Sequence, residues 1–252
     1  MHILGIDPAP AKKSVVFDGN EFFCFKAKEL KEYIYSFDNL LIGWDGPLDA
    51  SLDKENFSLT IRPIEKFFNR LSKTGKKIGI PEGINTLGFA SCSHWSISQY
   101  VFSLPIVNET YQKSPWKLLV ENNIQLTQKN IVETHPALSI WLMLCGEDFV
   151  KSLLFSSWKY KGNKEKSKKR LSILKDKVLS HPISKTYLKK EIKIDNDDKL
   201  DAYVSWLITK AYYEKDTRVG IFGDKKWGAF LLYLSCDLVF KDEFKNFISI
   251  YK

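Results

Sequence analysis

Apolar residues gather along this chain in short runs that stop on an acid with a proline close behind. Ile3, Leu4, Gly5 and Ile6 end at Asp7 and Pro8; Leu40 to Trp44 end at Asp45, Gly46 and Pro47; Ile131 and Val132 end at Glu133, Thr134, His135 and Pro136. Each run has the length and composition of a buried strand, and the proline past the acid ends pairing there. A carboxylate at the mouth of a buried strand costs free energy unless something pairs with it. Three such ends in one chain therefore ask for a shared partner.

Between these strands the pattern predicts further elements. Lys12 to Lys26 reads as a β-hairpin, with Ser14 to Phe17 as one strand, Asp18-Gly19-Asn20 as the turn and Glu21 to Phe25 as the return. Lys28 to Phe37 is apolar at Leu30, Tyr33, Ile34 and Phe37, which predicts a helix, and a helix between strands predicts a crossover to a parallel neighbour. Ile61 to Leu71 has helical spacing, Lys77 to Ile80 predicts a short strand, and Gly83 to Gly88 a loop. Ser96 to Phe102 and Trp116 to Asn122 predict short helices, and Ala137 to Cys145 a largely buried one closed by Gly146. An amphipathic helix with Leu171, Leu174 and Val178 on one stripe follows, then a helix from about Asp198 to Tyr213. Val219 to Phe222 and Ala229 to Leu234 form a closing hairpin. The alternation is that of an α/β fold. With no repeat and no linker to cut at, it predicts one domain over 1–252, with insertions around 48–125 and 146–194.

Composition narrows the class. The 252 residues are 44% hydrophobic and 27% charged, with no run near the roughly 18 apolar residues of a membrane span. The first strand begins at once without a signal-peptide pattern, which predicts a cytoplasmic protein. Cys24, Cys92, Cys145 and Cys236 lie far apart, so neither a zinc site nor a disulfide framework is suggested. The 38 basic against 30 acidic residues give a net charge of +8, which favours a polyanionic partner. Much of that charge is local. Lys159, Lys161, Lys164, Lys166, Lys168, Lys169 and Arg170 face only Glu165 within the same segment. Such a run is either a solvated helix face or a phosphate-binding surface, and its lopsided sign favours the latter, with Trp158 and Tyr160 placed to stack bases.

In open α/β sheets ligands bind at the carboxyl ends of the strands, so Asp7, Asp45 and Glu133 converge there if their strands are parallel neighbours. Asp198 and Asp201 lie three apart at a helix start, on one helical face. Oxygen ligands without cysteine suit Mg2+ or Mn2+, and clustered acids would repel one another without cations. Three of the acids also have a structural reading: Asp198 suits an N-cap, Asp201 a first helical turn, and Asp45-Gly46 a turn, whereas Glu133, between a buried strand and Pro136, has no helix to cap. His135 is either a ligand or water-orienting base or a hydrogen-bonded structural residue, and His94 either a structural residue or a substrate contact.

Taken in order, the motifs resemble the DUF429 proteins, predicted nucleases of the ribonuclease H-like superfamily. The resemblance rests on Gly5-Ile6-Asp7-Pro8, Gly43 to Leu48, Arg62-Pro63, Arg70, His94-Trp95-Ser96-Ile97 and Glu133-Thr134-His135-Pro136 with Trp141. It continues through Lys161, Arg170-Leu171, Asp197 to Ala202 and the closing hairpin. The first and last motifs are also similar to those of Holliday-junction resolvases. The resemblance implies a mixed sheet flanked by helices, and a metal-dependent nuclease acting on DNA or RNA. Asp7, Asp45, Glu133 and Asp201 would be catalytic, and with Asp198 they would bind Mg2+ or Mn2+. Lys159, Lys161, Lys164, Lys168 and Arg170 would hold the phosphate backbone. Two other readings compete: a non-catalytic nucleic-acid-binding protein on the same fold, and a phosphotransferase of the sugar-kinase and actin-like group. Pro8-Ala9-Pro10-Ala11 counts against the second, since a phosphate loop wants glycine and hydroxyl residues there.

Overall fold

Strands β1 (His2–Asp7), β2 (Ser14–Phe17), β3 (Phe22–Phe25), β4 (Leu40–Trp44), β5 (Lys117–Leu118) and β6 (Lys129–Glu133) form one sheet in the order β3-β2-β1-β4-β6-β5. The computed structural model describes residues 1–48, 62–74, 92–103, 114–123, 125–145, 160–162, 164–224 and 227–234, with 245, 246 and 249. The strand expected at 77–80, the loop at 83–88, Gly146 and Trp158 fall outside them. The first three strands pair antiparallel, while β4 runs parallel to β1, and β6 parallel to both β4 and β5. This α/β architecture, a mixed sheet flanked by helices, is consistent with a ribonuclease H-like fold.

Helix α1 (Ala27–Tyr35) crosses from β3 to β4, and α2 (Pro63–Thr74) and α3 (Cys92–Phe102) follow. Helix α4 (Pro136–Cys145) leaves β6 with proline at its first position, where the missing N–H costs nothing. The basic helix α5 (Glu165–Ser180), the short α6 (Pro182–Tyr187) and α7 (Asp197–Tyr213) complete the helices. Strands β7 (Val219–Asp224) and β8 (Gly228–Tyr233) form a separate hairpin, joined to the end of β6 by a parallel bridge between Thr134 and Leu231. Among the described residues no helix is long and apolar enough to cross a membrane.

The helix expected over Trp116 to Asn122 is not formed: Lys117 and Leu118 pair with β6, and the Leu119 N–H donates to the Ile131 carbonyl at 2.9 Å. The open edge of β6 offers a row of backbone partners, and satisfying them outweighs the weak helical preference of so short a segment. Asn122 then reaches the Ile221 backbone through both its amide groups and ties this edge to β7.

Alternation along the strands buries both faces of the sheet. Ile3, Val15, Phe17, Leu41 and Val132 face a core shared with α4 and α7, whereas Leu4, Ile6, Val16, Ile42, Trp44 and Ile131 face one shared with α1 and α3. Helix α7 lies so close to the first face that a Cβ on Gly5 would sit 2.1 Å from the Ala202 carbonyl oxygen and the Trp206 nitrogen. On Gly43, its register partner, a Cβ would sit 2.1 Å from Thr209 Oγ1. Two glycines side by side on the central strands therefore let α7 dock backbone to sheet.

Candidate functional site

The same register sets the site. Gly5 pairs with Gly43 and Ile6 with Trp44, so Asp7 and Asp45 follow side by side, both on the face that carries α7. The Asp45 N–H donates to the Ile6 carbonyl at 2.9 Å, which fixes the second acid against the first strand. Asp201 lies in the first turns of α7, one residue before the Ala202 carbonyl that rests on Gly5. One oxygen from each of Asp7, Asp45 and Asp201 lies within 4.8 Å of the others, the arrangement of a candidate cation site.

Glu133 is elsewhere. It pairs in register with Trp44, one residue short of the position level with Asp45, so alternation turns it to the opposite face. Thr134 occupies the level position, and its hydroxyl lies 2.9 Å from that of Ser205 on α7. Both oxygens of Glu133 are taken by Arg62: Nη1 donates to Oε2 at 2.8 Å and Nη2 donates to Oε1. The Leu48 N–H adds a bond to Oε2 at 3.0 Å. Arg62 also bridges to Glu65 and is 1% exposed, its guanidinium lying over the Phe230 ring. Glu133 is thus the carboxylate of a buried Arg62–Glu133–Glu65 network beside the acid cluster. Burial pushes it up to about 7 against the opposing pull of Arg62.

Asp198 is also outside the cluster, bound to Lys12 at 2.5 Å. It is not the helix cap, since Asn196 accepts the Lys199 N–H at 2.8 Å. His135 accepts the Leu138 N–H on Nδ1 at 3.3 Å and so caps α4. His94 sits one turn before Ser98, whose hydroxyl accepts the Trp44 indole N–H at 2.8 Å and donates to the His94 carbonyl. Burial lowers the His94 imidazole, and the Lys161 charge lowers it further.

Of the expected phosphate-binding residues, Lys164 and Lys168 are exposed and Arg170 half-buried on α5, while Lys159 lies outside the described residues. Lys161 does something else. Its Nζ lies 2.5 Å from Asp201 Oδ2 and 3.7 Å from Asp45 Oδ2, an ammonium set among the acids. Tyr160, expected to stack on bases, is buried, and its O–H donates to Asp201 Oδ1 at 2.5 Å.

The electrostatics follow first from burial. Burial raises Asp7 well above the usual carboxylate range; Lys161 opposes that, and Asp201, Asp45 and Asp198 add to it. Burial likewise lifts Asp45 to about 7, with Lys161 opposing it and Asp201 and Glu133 adding to it. Asp201 is raised by burial against Lys161 and Tyr160. Burial would lower the Lys161 ammonium, but Asp201 and Asp45 outweigh it and hold it well above its ordinary value. Burial is the largest cause for all three acids, and the single Lys161 cation opposes it without overcoming it. The Asp7 carboxylate makes no hydrogen bond or ion pair among the described residues.

Sequence reasoning named Arg62 only as part of a motif and missed its pairing with Glu133, and it missed the inward turn of Lys161. An Arg-Pro-x-Glu start, in which the Arg62 N–H donates to Glu65 Oε2 at 2.7 Å, and the Tyr160–Gly162 interruption of the basic run are the signals available for them. No curated protein and no solved structure matches the chain. Residues 117–225, which hold Glu133, Lys161 and Asp201, match the model of the family described as a protein of unknown function, DUF429.

Proposed function

We propose that this chain is a divalent-metal-dependent nuclease that hydrolyses phosphodiester bonds of DNA or RNA in the cytoplasm, using Mg2+ or Mn2+. The observation that carries the reading is the convergence of Asp7, Asp45 and Asp201 from three distant parts of the chain, with ligand oxygens within 4.8 Å. An all-oxygen donor set of this kind suits Mg2+ or Mn2+, and three buried carboxylates beside one ammonium fit a site completed by a cation. Asp7, Asp45 and Asp201 would hold the ion, which when bound supplies charge for the scissile phosphate and an acidified water. Lys164, Lys168 and Arg170 on α5 would neutralise neighbouring phosphates, and the exposure of the two lysines suits that role. Tyr160 orients Asp201 through its hydrogen bond to Oδ1.

The engagement of Glu133 by Arg62 favours a second reading, a non-catalytic nucleic-acid-binding protein, because it leaves the cluster one carboxylate poorer than the motifs imply. Asp7→Asn separates the two. It keeps the side-chain shape and removes a repelling charge, so the variant is expected to fold with undiminished metal-free stability. Mg2+- or Mn2+-dependent cleavage of single- and double-stranded DNA and RNA should fall by about 100-fold or more. Undiminished cleavage by Asp7→Asn would sink the assignment. Calorimetry showing no Mg2+ or Mn2+ binding, alongside salt-sensitive nucleic-acid binding, would instead establish the binding protein.

A further inference from the structure

We infer that the site is built for one divalent ion, and that the ammonium of Lys161 stands permanently where a second ion would otherwise sit. The inference rests on the nuclease reading above and specifies its cation count.

The position of Lys161 is constructed on both sides. The residue before it, Tyr160, is 2% exposed and anchored to Asp201 through its hydroxyl. The residue after it, Gly162, donates its N–H to Asp197 Oδ2 at 3.2 Å. Both anchors belong to the first turns of α7, the helix that carries Asp201, so the backbone of Lys161 is tied to the same rigid element as its acid. Gly162 takes a φ of +106° between these ties, which an L side chain rarely adopts. Between these ties Lys161 Nζ lies 2.5 Å from Asp201 Oδ2 and 3.7 Å from Asp45 Oδ2.

The charges then sum to a definite requirement. Three ionised carboxylates and one ammonium leave two negative charges, which one divalent ion cancels. Two divalent ions would leave an excess of positive charge even with a backbone phosphate in place, and one of them would lie against the ammonium. Glu133, the acid that would offset a second ion, is turned to the other face and held by Arg62. Asp7, which makes no ion pair among the described residues, remains as the open ligand. Lys161 supplies in tethered form what a second cation supplies elsewhere: a positive charge facing both the acids and an incoming phosphate.

The test counts ions. Mn2+ is titrated into the full-length protein in saturating dimethyl phosphate, which supplies the charge of a backbone phosphodiester, and the free-ion electron paramagnetic resonance signal gives the number bound per chain. The bound signal distinguishes an isolated ion from a spin-coupled pair. The wild type is expected to bind one Mn2+ with an uncoupled spectrum. Lys161→Met, with Lys161→Gln as a second variant and thermal melting as the check on folding, is expected to bind two as a coupled pair, a doubling of stoichiometry. Two coupled ions in the wild type would overturn the inference and leave the nuclease reading standing. So would a folded variant that still binds one, or a wild type that binds none while the variant binds. Absence of Mn2+ binding in every protein would remove the metal-dependent reading itself, and this inference with it.

Discussion

Arg62→Met asks how much of the fold rests on the ion-pair network behind the site. The substitution keeps most of the side-chain volume and removes a guanidinium that donates to Glu65 Oε1 at 3.0 and 2.7 Å and to both oxygens of Glu133. The two carboxylates left behind are 0% and 5% exposed. Breaking a buried pair by removing one partner costs about 3–5 kcal/mol, a large share of the roughly 5–15 kcal/mol that holds a domain together. The cost has a pH signature. Glu133 is already lifted to about 7 with Arg62 beside it, and without Arg62 it rises further. At pH 8 the variant carries the full penalty. At pH 5 Glu133 takes up a proton, and the penalty shrinks toward the roughly 1–3 kcal/mol of unmet hydrogen bonds. Urea unfolding followed through the buried Trp44 and Trp141 measures both values, with an unchanged m-value confirming that the transition is comparable. Arg62→Met combined with Glu133→Gln should be more stable at pH 8 than Arg62→Met alone. A loss below about 1 kcal/mol at pH 8, the scale of an exposed pair, would refute the reasoning. So would a loss equal at both pH values.

Two further predictions concern packing and protons. Gly5→Ala drives a methyl into the α7 backbone at 2.1 Å and should cost about 3 kcal/mol or more, together with metal binding by the acid cluster. Gly43→Ala meets first the rotatable Thr209 side chain and should cost less, and thermal melts of the pair in the reverse order would contradict the docking described here. In metal-free protein the folded Asp45 and Glu133 keep protons to about 7, against ordinary values of 3.8 and 4.5. The folded chain then binds more protons than the unfolded one between those limits, so stability falls as pH rises through that window. The melting temperature should therefore be higher at pH 5 than at pH 8, and saturating Mn2+ at pH 8 should recover the difference; a melting temperature that rises from pH 5 to pH 8 without metal would count against the buried-acid electrostatics.

The central strands, the opening hairpin and the last helix were legible because burial on both faces writes unbroken apolar runs, and caps and prolines mark their ends. Register was not. Three runs ending in an acid look alike until each acid is referred to its pleat: Asp7 and Asp45 follow a glycine by two residues, on the face that admits α7, whereas Glu133 follows Ile131 and belongs to the other face. The Gly-x-Asp spacing of the first two runs carried that distinction. Charge was legible in amount and misleading in place. Seven basic residues in one segment describe a surface, but nothing in their sign says that Lys161 turns back onto Asp201. Arg62 defeats composition in the same way, because an arginine reads as exposed unless the acids that surround it can be seen.

The docking of α7 against Gly5 and Gly43 also fixes when the cluster comes into being. Synthesis delivers the central strands early and α7 late, and a domain folds as a unit once its elements have emerged. Until α7 arrives, the sheet face bearing Ile3, Val15, Phe17 and Leu41 is without one of its main covers, and Asp7 and Asp45 have no third acid. An interrupted chain is therefore sticky and chemically inert, and whatever reaction the acids support belongs only to the finished fold. Assembling the cluster across so long a stretch of chain slows folding, since distant contacts must close before any of them is rewarded. In return, no fragment short of α7 carries the site.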